Sequence, residues 1–161
     1  MKVLNFTAKE ILPSLLDKTK KQTIRPAWHN RLAYVKDYKS VEKPARFKVG
    51  EKVKLMWGQR SKYKWFCKCC GKFRPQGYDG YCPVNHKKNG TFNKELGTAE
   101  ITEVFKVTMS TGRGIEGTNH TMLEISTLDG FKSLELMRKY FDDNYDLSNP
   151  KEFWVYRWRH I

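Results

Sequence analysis

Apolar and polar positions along the chain mark out a mixed set of strands and helices. Residues 2–6 read as a short strand. Thr7 with Glu10 three residues later has the form of a helix capping box, and Ile11, Leu12, Leu15 and Leu16 supply one apolar helical face. Pro13 is tolerated only in a first turn, which moves the expected helix start towards Leu12. Residues 27–46 carry Trp28, His29, Tyr34 and Tyr38 among lysines with no clean period, and read as an inserted loop. Val53, Leu55 and Trp57 then alternate with Lys52, Lys54 and Met56, the period of two of a half-buried strand.

Further on, Ala99–Val107 and Thr121–Ile125 read as strands separated by a loop with Gly112, Gly114 and Gly117. Those glycines lack a phosphate-loop lysine and a strand-to-helix setting, so they do not read as a nucleotide cradle. Ser133 is a good N-cap, and Leu134, Met137 and Phe141 follow at helical spacing towards Tyr145, with Pro150 beyond. The last strand sets Phe153 and Val155 on one face and Trp154, Tyr156 and Trp158 on the other. Both faces are apolar, which predicts a central strand. Trp57, Phe105, Phe141 and Phe153 sit at apolar-periodic positions and are expected in the core.

At 161 residues the chain is long enough for one core, so a single domain is expected over 1–161. Charge changes the picture most. The chain has 31 basic and 17 acidic residues, a net +14, which favours a polyanion as partner, nucleic acid above all. The bland alternative is a lysine-rich solvated surface. Several aromatic residues interleave with the cations, Trp28 near Arg25 and Arg31, and Tyr63 and Trp65 among Lys62, Lys64 and Lys68. Bases stack on rings while cations hold phosphates, as a single-strand or flipped-base binder requires. No stretch approaches the ~20 apolar residues that cross a bilayer, and Met1 to Phe6 is too short for a signal-peptide core, so a cytoplasmic protein without a membrane partner is expected.

In a reducing compartment four cysteines are metal ligands more often than disulfides. Cys67 and Cys70 have the two-residue separation and trailing Gly71-Lys72 of a zinc knuckle, and Cys82 and His86 lie three residues apart. Cys67, Cys70, Cys82 and His86 are therefore the expected ligands of a structural zinc, with Cys69 left over. All four positions are filled by protein, leaving no place for an activated water. The alternative is four reduced cysteines without metal. The segment 60–94 is read as an inserted zinc-binding subdomain in which the metal replaces a core. Its Lys62, Lys64, Lys68, Lys72, Arg74, Lys87 and Lys88 extend a basic track.

The most informative stretch is Lys20-Lys21-Gln22-Thr23-Ile24-Arg25-Pro26, a lysine three positions before a threonine and followed at once by an arginine. Three features lie at matching distances: Phe47-Lys48-Val49-Gly50-Glu51-Lys52-Val53, Leu128-Asp129-Gly130-Phe131, and Phe153-Trp154-Val155-Tyr156-Arg157-Trp158. Together they resemble the ASCH family over residues 2–26, 46–60 and 95–158. The resemblance implies an α+β chain, a PUA-like β-barrel with flanking helices, and a cleft that accepts RNA or a modified base. In a few small relatives a lysine, a threonine and a glutamate of this cleft hydrolyse the amide of N4-acetylcytidine, and other relatives are linked to ribonuclease activity.

Carried onto this chain, the resemblance puts Lys20, Thr23 and Asp129 at the catalytic positions. Lys20 would act as base towards the Thr23 hydroxyl, a weak nucleophile until activated. Asp129 departs from the pattern: it is one methylene shorter than glutamate and aligns only with a one-residue shift. The plain alternatives are an Asp-Gly turn for Asp129, a β-branched strand residue for Thr23 and a solvated face for Lys20 and Lys21. The expected nucleic-acid contacts are Lys21, Arg25, Trp28, Arg31, Arg60, Lys62, Lys64, Lys87 and Lys88. Two functions follow: a nucleic-acid-binding protein, RNA first, using a basic cleft, or a hydrolase of acylated nucleosides or an RNA backbone.

Overall fold

A computed structural model describes residues 1–29, 41–77 and 79–161. The first strands are Lys2–Phe6 (β1), Gln22–Pro26 (β2), Trp28–His29 (β3) and Val41–Glu42 (β4), with a 3-10 turn Lys9–Ile11 and helix Leu12–Leu16 (α1) between β1 and β2. Then come Lys52–Trp57 (β5), Trp65–Cys67 (β6), Lys72–Arg74 (β7), Thr91–Asn93 (β8), Glu95–Ser110 (β9) and Gly114–Glu116 (β10). Helices Met122–Asp129 (α2) and Leu134–Asn144 (α3) precede the last strand, Lys151–His160 (β11). The class is α+β, mostly sheet.

The chain divides into two compact units. Met1–Lys9, Lys52–Ala99 and Ile161 form the first, and Glu10–Glu51 with Glu100–His160 the second. The first is thus wider than the 60–94 segment, because β1 lies parallel to β5, Lys2 opposite Val53 through Phe6 opposite Trp57. Within it β6 pairs antiparallel with both β7 and β8. This small sheet has apolar packing of its own. Phe66 lies 5.0 Å from Phe73, 5.5 Å from Phe92 and 5.7 Å from Trp57, ring to ring. The expectation that a metal stands in for a missing core is therefore too strong: sequence distance hid an aromatic cluster that strand pairing assembles.

In the second unit β11 pairs antiparallel with β2, and β10 folds back on the end of β9. Phe153 and Val155 are fully buried against Ile24, Ile125, Met137 and Phe141, as the two-sided apolar pattern of β11 predicts. α3 starts where expected, the Ser133 hydroxyl accepting the Leu136 N–H. Thr121–Ile125 is not a strand. The Thr121 hydroxyl accepts the Glu124 N–H at 3.1 Å and Gly130 closes the other end in the left-handed region at φ 90°, so local capping overrides a short apolar run. The first helix starts at Leu12, and the proposed Thr7 capping box gives no side-chain cap.

Among the described residues the sheet does not close into a barrel. Its strand order is β1-β5-β9-β11-β2, with β1 and β2 as the end strands. The β2 end is occupied by α2: the Lys21 N–H donates to the Leu128 carbonyl at 2.9 Å and Gln22 Nε2 to the Ile125 carbonyl at 3.0 Å. A helix covers the edge that barrel closure would pair with a strand.

Candidate functional site

The second unit buries a lysine–aspartate pair. Its geometry starts in the turn after α1, where Lys18 takes φ 62° and Asp17 Oδ1 accepts both the Thr19 N–H and hydroxyl. The turn reverses the chain so that the Lys20 N–H meets the Ser14 carbonyl at 2.9 Å. Gly130 makes this approach possible: a Cβ there would lie 2.2 Å from Ser14 Oγ and 3.4 Å from Lys20 Cβ. Lys20 and Asp129 are 1 % and 5 % exposed. Lys20 Nζ donates to the Asp129 carbonyl and stands 3.2 Å from Asp129 Oδ1. That oxygen is buried, and the ammonium is its ion-pair partner.

Burial dominates both groups. It pushes Lys20 down to about 8, against the pull of Asp129, with Arg25 adding to the fall. Asp129 is pushed up by burial, opposed by Lys20, Arg25 and a hydrogen bond from Gln22. A charged pair taken out of water gains little net stability, but removal of either partner strands the other.

Lys20 and Asp129 thus meet across more than a hundred residues, and Arg25 lies within electrostatic reach of Asp129, Tyr145 and Tyr140. Thr23 is buried on β2 opposite Tyr156. The strand period puts it on the Arg25 face, away from Gln22 and Ile24. Sequence reasoning missed Gln22 and its cross-strand partner Arg157.

The expected contact residues divide. Lys21, Arg60, Lys62, Lys64, Lys87 and Lys88 are exposed, and Lys62 Nζ lies 5.0 Å above the Tyr63 ring. Trp28 is half-buried, 4.9 Å from Phe153 and 5.9 Å from Tyr145, so it is mainly a packing residue. Arg31 lies outside the described residues.

In the first unit the sulfurs of Cys67, Cys69 and Cys82 lie within 4.8 Å of one another. Two similar turns assemble them. The Gly71 N–H donates to the Cys67 carbonyl at 2.7 Å and the His86 N–H to the Cys82 carbonyl at 2.9 Å, with Gly71 and His86 at φ 68° and 57°. Each turn aims N–H groups at its first sulfur, from Cys69 and Cys70 onto Cys67 and from Val84 and Asn85 onto Cys82. Burial nevertheless pushes Cys67 up to about 11, while the Arg74 guanidinium, 3.3 Å from Cys70 Sγ, holds Cys70 down to about 7.

Donors that stabilise thiolates around clustered sulfurs fit a metal ion. The set differs from the expected one: Cys69 joins Cys67 and Cys82, Cys70 turns to Arg74 and lies beside Cys67, and His86 is exposed. His86 occupies the position in the second turn that Gly71 takes in the first.

The chain matches no family model, no curated protein and no solved structure. Among the described residues no helix is long and apolar enough to cross a membrane.

Proposed function

We propose that this chain binds nucleic acid, RNA in the first instance, through phosphate contacts on its first unit. One observation carries the reading. That unit holds 13 of the 31 basic residues but only 2 of the 17 acidic ones, a net +11 of the chain's +14. A charge spread for solubility alone would not concentrate so strongly on one compact part. The cysteine turns lie within this unit, and zinc is among the ions that clustered thiolates hold. Its role is structural, fixing the loops that carry Lys68, Lys72, Lys87 and Lys88.

The test is the salt dependence of binding in a charge-removal variant. Lys87→Ala/Lys88→Ala is expected to flatten the log–log salt slope for a single-stranded RNA by about 1.4, at about 0.7 per phosphate contact. Lys132→Ala, an exposed lysine of the second unit, serves as the comparison and is expected to leave the slope unchanged. Equal slopes in all three proteins remove the first unit as the contact surface.

A second reading, amide hydrolysis of an acylated nucleoside such as N4-acetylcytidine or cleavage of an RNA backbone, is favoured by the buried Lys20, held down to about 8 beside Asp129. In that reading Lys20 takes the Thr23 proton and Asp129 delivers a proton to the leaving amine. Chromatography of N4-acetylcytidine incubated with the chain separates the two readings.

A further inference from the structure

Helix α3 carries two pairs of opposite charges at the four-residue spacing that makes side chains neighbours on a helix surface. One pair closes: Lys139 Nζ meets Asp143 Oδ2 at 2.7 Å. The other, one residue earlier, stays open. Arg138 and Asp142 are exposed, and among the described residues neither makes a hydrogen bond or an ion pair. Both line a cavity of about 170 Å³.

The floor of this cavity is Met109, Met137, Phe141 and Leu147, all buried. Met137 and Phe141 come from the apolar face of α3, and Met109 from β9, where Ile115 of β10 stands opposite it. Hydrogen bonds hold the wall in place: the Thr111 N–H donates to the Leu147 carbonyl at 3.0 Å and the Arg113 N–H to the Ser110 hydroxyl at 3.2 Å. The Arg138 guanidinium is seated on the β10 backbone. A Cβ at Gly114, which has φ 69°, would lie 2.7 Å from Arg138 Nη2 and 3.2 Å from Met122 Sδ.

The two open charges restrict what fits. A phosphate or a fatty carboxylate that pairs with Arg138 also meets the Asp142 carboxylate, and a simple amine that pairs with Asp142 also meets the guanidinium. A solute with both charges on neighbouring atoms satisfies both. Its size is limited too: the cavity has the volume of about six waters at ~30 Å³ each, room for a short branched tail but not for a nucleotide. Methionine side chains adapt readily to such a tail.

We propose that this cavity binds an α-amino acid with an aliphatic side chain, its carboxylate on Arg138, its ammonium on Asp142 and its tail against Met109 and Met137. The site lies wholly in the second unit, so it stands apart from the phosphate contacts of the first.

The experiment follows the methionine methyl groups of the full chain by NMR during titration with L-leucine up to about 10 mM, a range suited to so small a ligand. Met109 and Met137 are expected to shift and saturate while Met56, in the first unit, stays still. Isocaproate, which lacks the ammonium, and isoamylamine, which lacks the carboxylate, are each expected to bind about ten-fold more weakly than leucine. Arg138→Gln and Asp142→Asn, at exposed positions, should each weaken leucine by about ten-fold. Asp142→Asn should also erase the preference for leucine over isocaproate, which a merely loosened fold would not do. Unmoved Met109 and Met137 signals, isocaproate binding the wild type as tightly as leucine, or unchanged leucine affinity in the folded variants overturns the proposal. If a variant does not fold, the three wild-type titrations decide alone: a preference for leucine over both analogues supports the proposal and its absence overturns it.

Discussion

Asp129→Ala is expected to destabilise the chain by about 3–5 kcal/mol at pH 7, because it strands a buried ammonium. The pH dependence separates this cause from simple cavity formation. Lys20 already titrates near 8 in the folded chain, well below the usual lysine value of 10.5. Between those two values the unfolded chain binds more protons than the folded one, so this group's contribution to stability rises with pH across the window. Without Asp129 the folded midpoint drops further and the window opens below 8. The variant should therefore gain about 1 kcal/mol on the wild type between pH 7 and pH 8. Urea unfolding at the two pH values measures it. Lys20→Met/Asp129→Ala, which removes both charges, should recover most of the loss. A loss below about 1 kcal/mol, or one that does not change with pH, contradicts a charged buried pair.

Metal removal is the second large effect. Elemental analysis is expected to find about one zinc per chain, and structural zinc contributes on the order of 10 kcal/mol to the element it folds. Chelation, or Cys82→Ser, should abolish amide protection in β6, β7 and β8 while β2 and β11 keep theirs. The aromatic packing of Phe66, Phe73 and Phe92 should leave a collapsed remnant in place of a random coil. Cys69→Ser and His86→Ala distinguish the two ligand sets: the sulfur arrangement predicts metal loss in the first and retention in the second. A metal-free chain from zinc-replete growth, with its small sheet intact, would contradict the site.

Elements whose pattern is set locally were legible in the sequence. The alternation of β5, the Ser133 cap of α3 and the two-sided apolar run of β11 each carry their own signal, and each element forms there. Thr121–Ile125 was misread because a short run of Thr, Met, Leu and Ile fits strand and helix alike, and only the cap at Thr121 with Gly130 decides. Closure of the sheet was beyond local pattern, since it depends on whether α2 or a strand lies along β2. The meeting of Lys20 and Asp129 could be anticipated only through the family resemblance. Gln22 and Arg157 were invisible for a different reason: their partnership is set by register between strands more than a hundred residues apart.

The salt dependence of RNA binding by the intact chain tests the central claim most directly. Titration of a fluorescent single-stranded RNA at several salt concentrations should give a straight log–log plot. Six or more phosphate contacts on the first unit predict a slope of about −4 or steeper. A slope near zero, with binding still tight, would contradict a phosphate-contacting surface and assign the chain an uncharged ligand instead.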